Sequence, residues 1–384
     1  MPPETLTPAQ RKQSLAAIIG TAFGVGVAVG AIVPLVSLSL ARDGYNALMI
    51  GINSAMLPIA VILMGPLMPR VIARLGALRS VYLGLGVAAL CVLLFPAFPN
   101  YYAWCAIRFV IGLASAIHWI TSETWINLMA TSRSRSRIMG IYASVMALGF
   151  VLGPLIINLT GIDGWLPFAA VSAALVVALL PVALVRQVVP IVSSHGTGGV
   201  GRAFMAAPTV MVAALVAGFV DAGLFTQIPI YELHAGFERE TAAASLSIFM
   251  AGNLVLQLPL GWLADHSSRR GILLLSAVVV VVGAALYPLL LAAGFWLWAM
   301  MFLWGGVSWG IYTLGLGLMG ERFPAAELAA ANAAFVMMYE VGSFFGPVVA
   351  GGAMVLSPLY GLPIVVAAAA GALVVFGLVR NHRR

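Results

Sequence analysis

Long apolar runs constrain this chain more than any other feature of its sequence. About 20 apolar residues cross the hydrocarbon core of a bilayer as one helix, so each run of that length predicts a transmembrane span. The first half holds runs at about 14–40, 47–72, 80–98, 101–130, 138–161 and 165–186, and the second at about 203–231, 242–263, 271–293, 296–319, 327–353 and 358–379. The sequence therefore predicts an all-α integral membrane protein with twelve transmembrane helices.

A charged turn occurs between the second and third runs of each half. The clearer copy is GWLADHSSRRG, from Gly261 to Gly271, and the weaker one is PRVIARLGALR, from Pro69 to Arg79. The two copies lie half a chain length apart, which indicates an internal duplication. Asp265 of the second turn has no acidic counterpart, because Ala73 takes its place in the first.

A second motif repeats at the same half-chain offset. GFVLGP runs from Gly149 to Pro154, and GSFFGP from Gly342 to Pro347. Glycines four apart let two helices approach closely, and a proline removes one backbone hydrogen bond. Two motifs at one offset predict two pseudo-symmetric six-helix bundles. The predicted domains are an N-terminal bundle at 1–190, a Gly- and Ser-rich cytoplasmic linker at 191–202 and a C-terminal bundle at 203–384.

Together these motifs resemble those of the major facilitator superfamily of secondary transporters. The resemblance covers nearly the whole chain, although Ser268 stands where the family usually has Gly. It implies alternating access, and it associates the Gly-Pro element of the fifth helix with proton-driven exporters. It also implies gating roles for loop residues Asp265, Arg269, Arg270 and Arg74, and for helix residues Gly149, Gly153, Pro154, Gly342, Gly346 and Pro347.

Composition and charge placement indicate where the chain resides. Hydrophobic residues make up 62% and charged residues 8%, against about 25% charged in soluble domains. If successive runs cross the membrane in opposite directions, most of the 19 Lys and Arg residues lie in loops on one side of it. The positive-inside rule then predicts cytoplasmic N- and C-termini in a bacterial-type inner membrane, and it explains the net charge of +7 without nucleic acid. The two cysteines suggest neither a disulfide framework nor a metal site.

Five ionisable side chains fall inside the runs and away from their ends, where each costs about 2.5–3.5 kcal/mol. On the fourth helix, Arg108, Trp119 and Glu123 lie on or beside one polar stripe, which predicts a cavity-facing surface. In the resembling family this helix lines the central cavity and often carries Arg-x-x-x-Gly, as Arg108 and Gly112 do. The alternative is an Arg–acid pair that holds helices together. His118 has no acid one turn away, which favours packing or contact with water over a coupling role.

Two further acids lie in the second half. Glu340 lies midway along its run among apolar neighbours and has no acidic counterpart in the first half, which makes it the first candidate for proton coupling. A packed, hydrogen-bonded carboxyl remains the alternative. Asp221 lies in the seventh run, and the sequence allows two roles for it. It can be part of a substrate or proton site, or one member of an extracellular gate pair.

Amide and aromatic side chains complete the candidate binding residues. Asn253 and Gln257 share one face of the eighth helix, and Trp119 corresponds to Tyr312 at the repeat offset. They can bind substrate, or they can serve helix–helix hydrogen bonds and packing.

The function we expect is secondary active transport of a small organic solute by proton-coupled efflux, in a monomer that uses the proton gradient and no cofactor or metal. One alternative is a proton symporter or facilitator that imports an organic anion or metabolite, with Arg108 binding the anion. A non-transporting sensor or scaffold is an alternative of another class. An enzyme is not expected, because the sequence contains no HExxH motif and no paired catalytic constellation with sensible spacing.

Overall fold

The computed structural model describes residues 7–64, 67–129, 135–185, 206–323 and 325–380, and these residues form helices without strands. The first half contains α1 (Pro8–Arg42), α2 (Ala47–Met64), α3 (Met68–Leu75), α4 (Ala77–Ala97), α5 (Tyr101–Met129), α6 (Arg135–Leu152), α7 (Leu155–Thr160), α8 (Leu166–Ala178) and α9 (Leu180–Ala183). The second half contains α10 (Pro208–His234), α11 (Arg239–Asp265), α12 (Arg269–Leu290), α13 (Phe295–Arg322), α14 (Ala325–Leu356) and α15 (Gly361–Val379).

Within the described residues, twelve segments are long and apolar enough to cross a membrane, which confirms the predicted all-α membrane fold. Three of the predicted runs are divided in the structure. The run at 165–186 forms α8 and α9, which are separated at Leu179. The run at 47–72 ends as a helix at Met64, and a separate short helix begins at Met68 with a proline in its first turn. The run at 138–161 is divided into α6 and α7 around Gly153 and Pro154.

The two Gly-Pro elements differ in their effect on the helix. At the first, the amides of Ile156 and Ile157 bond to the carbonyls of Gly153 and Pro154 at 3.0 Å each, so the chain turns more tightly there. At the second, Pro347 lies inside a continuous α14. A shared motif therefore specifies close packing in both halves and a helix break in only one.

Contacts divide the chain into two compact units. Unit 1 comprises residues 1–35 and 59–195, and unit 2 comprises 36–58 and 196–384. The predicted domain boundary in the linker remains a prediction, since 191–202 lies outside the described residues. The end of α1 from Val36 and the start of α2 as far as Pro58 are grouped with unit 2.

In unit 1, α6 packs closely on α1. A Cβ atom added at Gly149 would lie 2.7 Å from the amide nitrogen of Val27, and one at Gly153 would lie 2.6 Å from that of Ala31. Because those obstacles are backbone atoms, both positions require glycine at this separation. Elsewhere in the unit, Phe95, Trp104 and Phe168 form an aromatic cluster, with ring centroids of Phe95 and Trp104 5.3 Å apart.

In unit 2, α14 packs on α10 in the same way. A Cβ at Gly342 would overlap the Leu215 carbonyl, and one at Gly346 would overlap the Phe219 carbonyl. Thus the repeated motif places its glycines against the first helix of its own half in both cases. Small residues at such contacts allow the extensive van der Waals packing that holds helices together in lipid.

The start of α2 also packs within unit 2. A Cβ at Gly51 would overlap the Pro347 carbonyl. The Gln227 side-chain nitrogen donates to the carbonyls of Ala47 and Pro347, at 3.0 Å each. One buried amide therefore joins α2, α10 and α14.

Candidate functional site

In unit 1, the α5 stripe lies partly against α1 and is partly open. Arg108 is 4% exposed, and its Nη2 donates to the Val33 carbonyl of α1 at 3.2 Å. A buried guanidinium that bonds a helix backbone is fixed in position, with further donors for other partners.

Glu123 is linked to Trp119, one turn away on the same helix. The indole Nε1 donates to Oε1 of Glu123 at 2.7 Å. Trp119 is 41% exposed and Glu123 is half-buried, whereas the nearby Tyr142 of α6 is buried. Trp119 and Glu123 thus form a polar surface with an aromatic edge.

His118 of α5 is buried against α1. Its Nε2 lies 3.1 Å from Oγ1 of Thr21 and 3.2 Å from Oγ of Ser122. Two hydroxyls at hydrogen-bond distance favour the packing interpretation, and its role remains a prediction.

In unit 2, Asp221 is the most enclosed of the predicted acids. It is 1% exposed, and neither carboxyl oxygen has a hydrogen-bond partner within 3.5 Å among the described residues. The phenol of Tyr339, on α14, lies within electrostatic reach of this carboxyl. A buried acid with so little compensation is costly, which indicates a functional reason for its presence.

Tyr339 brings three predicted residues together. It interacts electrostatically with Asp221, Glu340 and Tyr312, and its ring centroid lies 4.9 Å from that of Tyr312. Glu340, the next residue on α14, is half-buried. We call Asp221, Tyr312, Tyr339 and Glu340 the acid–tyrosine cluster. The sequence analysis missed Tyr339, because a tyrosine in an apolar run reads as ordinary packing.

The predicted amides form a hydrogen-bonded chain between α11 and α13. The Gln257 side-chain nitrogen donates to Oδ1 of Asn253 at 2.7 Å, and the Thr313 hydroxyl donates to Oε1 of Gln257 at 2.7 Å. Thr313 is exposed, so the chain begins at an accessible surface.

Sequence reasoning also missed Glu232, which is fully buried in the last turns of α10. The Tyr287 hydroxyl donates to its Oε1 at 2.9 Å, while Oε2 has no partner among the described residues. The predicted run ended at residue 231, so the acid was placed in a loop. The signal was available, since the helix-favouring sequence continues to His234.

The predicted gating residues of the charged turns are only partly described. The Asp265 side chain lies outside the described residues, and Arg74 is exposed. Arg269 donates to the Gly317 carbonyl at 3.5 Å, and Arg270 to the Gly377 carbonyl at 2.5 Å. Both arginines therefore bind helix backbone within unit 2.

No group of three or more His, Cys, Asp or Glu residues that could hold a metal ion occurs in the described ranges.

Comparisons with known proteins agree with this architecture. The family model of the Major Facilitator Superfamily matches residues 18–347, with a further match at 210–383. The MFS-type transporter YfkF of Bacillus subtilis is 27% identical over 335 residues, which cover 85% of each chain. The MFS-type transporter YcaD of Escherichia fergusonii is 26% identical over 280 residues, 72% of each chain.

Solved transporters share the fold. A bacterial homologue of the human lysosomal transporter Spinster, inward-facing and unoccupied, aligns with a TM-score of 0.76 at 15% identity, over 97% of this chain and 96% of that one. The nucleoside transporter NupG aligns with a TM-score of 0.73 at 14% identity, over 96% and 98%. Since the family model spans most of the sequence, this chain belongs to the Major Facilitator Superfamily and is a multi-pass membrane transporter rather than an enzyme.

Proposed function

We propose that this transporter exports a small organic solute in exchange for protons. The observation that carries the proposal is the acid–tyrosine cluster, in which carboxyls on two helices, α10 and α14, lie within electrostatic reach of one phenol. Protonation removes a charge that burial makes costly, so proton binding and the surrounding helix packing are coupled. A solute that competes with the proton would then be exchanged for it.

Within the cluster we assign proton coupling to Glu340 and binding or gating to Asp221. A coupling carboxyl must exchange protons with water, and Glu340 is half-buried whereas Asp221 is 1% exposed. Asp221 also lies on α10 one turn from Gly218, which meets the Tyr339 backbone, so its ionisation acts on a close contact between α10 and α14.

We further propose an inner-membrane location with both termini in the cytoplasm, from the distribution of Lys and Arg. In this orientation the loop before Ala47 is external, so the Gln227 bonds to Ala47 and Pro347 lie near the outer face. Alternating access requires contacts at that face to form and break, and we assign this role to Gln227. The chain would work as a monomer, with the proton gradient as its driving force.

The alternative is import of an organic anion by symport or facilitation. Arg108 favours it, since a buried guanidinium on the α5 stripe is a strong anion ligand. Under that alternative Arg108→Gln abolishes anion transport, and substitution of Glu340 leaves anion uptake unchanged.

The experiment uses inverted membrane vesicles with an acidic interior and a pH-sensitive dye. Addition of pooled small organic compounds should release protons from vesicles that contain the protein, and fractionation of the pool identifies the substrate. With that substrate, Glu340→Gln should lose uphill transport but keep downhill exchange, because glutamine keeps size and hydrogen bonding without titrating. Asp221→Asn should lower both modes.

Glu232→Gln is the matched control, as it neutralises a buried acid of the same unit outside the cluster. It should retain both modes. Uphill transport by Glu340→Gln at an unchanged level would transfer the coupling role to Asp221. No proton release with any compound would contradict antiport.

A further inference from the structure

Glu232, in the last turns of α10, is a buried acid to which the proposed function gives no role. It is 0% exposed, and the Tyr287 hydroxyl of α12 donates to its Oε1 at 2.9 Å. Its other oxygen, Oε2, has no hydrogen-bond partner among the described residues. The carboxyl therefore lies between helices, out of contact with solvent, with one of its two oxygens unsatisfied.

A second unsatisfied group lies close to this carboxyl. The Ser245 hydroxyl of α11 acts on the Glu232 side chain from the neighbouring helix. Its Oγ is fully buried and also lacks a hydrogen-bond partner within the described part of the chain. Buried polar atoms are rarely left unpaired, and one hydrogen atom between Oε2 and Oγ would satisfy both of these.

Aromatic packing holds the Tyr287 donor in position. Its ring centroid lies 4.6 Å from that of Tyr231 and 5.3 Å from that of Trp304. The Tyr231 hydroxyl donates to the Leu359 carbonyl at 3.1 Å, so it is directed away from the acid. The phenol that faces Glu232 is thus fixed by rings from α10 and α13.

No positive charge compensates Glu232 among the residues that the structure describes. Its side chain makes no ion pair there, and the titratable groups that act on it or lie against it are the phenols of Tyr231 and Tyr287. The nearest ionisable residues along the chain lie towards solvent: His234, Glu238 and Glu240 are exposed, and Arg239 is half-buried. An ionised carboxylate without a counter-charge is costly in such a place, and a carboxyl there takes its neutral form.

We propose that Glu232 is a proton-binding site outside the transport cluster. The neutral acid carries its proton on Oε2 and donates it to Ser245, while Oε1 accepts from Tyr287. One bound proton then joins the end of α10 to α11 and α12. Loss of the proton leaves a buried anion between the three helices and weakens their contact.

The consequence is regulatory. A helix contact that depends on a proton is strong when the adjoining compartment is acidic and weaker when it is alkaline. In the proposed orientation that compartment is the exterior, which is the acidic side when protons drive export. The proton site itself does not depend on this orientation, and neither measurement below involves transport or a solute.

The direct test is infrared spectroscopy of the purified protein at neutral pH, in an alkyl maltoside detergent that contains no carbonyl group. A protonated carboxyl has a C=O stretching band separate from the carboxylate bands. Glu232→Gln should lose one such band, and the difference spectrum removes any contribution of Asp221 or Glu340. In Tyr287→Phe the band should persist and move to higher frequency, because its oxygen no longer accepts a hydrogen bond.

Glu240→Gln is the matched control, since Glu240 is an exposed acid in the first turn of α11 at the same end of unit 2. It should leave the band unchanged. An unchanged band in Glu232→Gln, or an equal loss in Glu240→Gln, overturns the proposal. If Glu232→Gln does not fold, a band that stays in place in Tyr287→Phe overturns it as well.

Thermal unfolding tests the link between the proton and stability. A solvated glutamate loses its proton above about pH 4.3, so the unfolded chain releases this proton while the folded chain holds it. Each pH unit over which that holds lowers the folding equilibrium constant about ten-fold. Between about pH 5 and about pH 8 the unfolding midpoint should therefore fall further in the unmodified protein than in Glu232→Gln. Equal falls in the two proteins would contradict the proposal.

Discussion

The glycine contacts between α10 and α14 make the sharpest stability prediction. A Cβ atom at Gly342 would overlap the Leu215 carbonyl and lie 2.7 Å from the Phe219 nitrogen. Both obstacles are backbone, so Gly342→Ala forces the two helices apart. Overpacking of this kind costs about 1–3 kcal/mol, against a helix-propensity gain of about 1 kcal/mol for Gly→Ala. We expect a net loss of about 0–2 kcal/mol.

Gly371→Ala in α15 is the control that separates the steric overlap from the change in helix propensity, because a Cβ there meets nothing within 4 Å. It gains the same propensity of about 1 kcal/mol without a clash. The difference between the two variants should therefore be about 1–3 kcal/mol, the overpacking cost alone. Thermal unfolding of both variants in the same lipid nanodiscs measures this difference.

The duplicated motif supplies an internal repetition of the experiment. Gly149→Ala should lower the unfolding midpoint, since its Cβ would lie 2.7 Å from the Val27 nitrogen, whereas Gly86→Ala meets nothing within 4 Å. Equal unfolding midpoints for Gly342→Ala and Gly371→Ala would refute the argument that close backbone contact, rather than the overall glycine content of the chain, accounts for glycine at these positions.

Two further predictions concern buried polar groups in unit 2. Gln227→Leu removes the donor to the carbonyls of Ala47 and Pro347. A cysteine placed at Asn46, in a background without Cys91 and Cys105, should then react faster with an external thiol reagent. An unchanged reaction rate would show that these bonds do not hold the face closed. Tyr287→Phe leaves Oε1 of Glu232 without its donor and should lower stability by about 1–3 kcal/mol, measured by thermal unfolding. Adding Glu232→Met should recover most of that loss, and failure to recover it would place the cost in aromatic packing instead.

Much of the fold was predictable because the bilayer limits what a chain can do. Apolar length alone located all twelve spans, and the repeated motifs located the equivalent glycines. The interruption at Pro154 and its absence at Pro347 were not predictable, since the two motifs are alike and only tertiary surroundings differ.

The candidate site was predictable for charged residues and less so for their partners. An acid in an apolar run stands out, so Asp221 and Glu340 were identified, whereas Tyr339 between them reads as packing. Glu232 was missed for a different reason. Its run ended one residue too early, and a boundary error of that size is enough to move a buried acid into a predicted loop.

The most direct test of proton-coupled export is solute flux in liposomes that contain the purified protein and the substrate found in the dye screen. An imposed pH difference should drive the solute uphill toward the more acidic side, and its reversal should reverse the flux. Glu340→Gln should equilibrate the solute across the membrane without accumulating it. Accumulation that ignores the pH difference, or that persists in Glu340→Gln, would contradict the account.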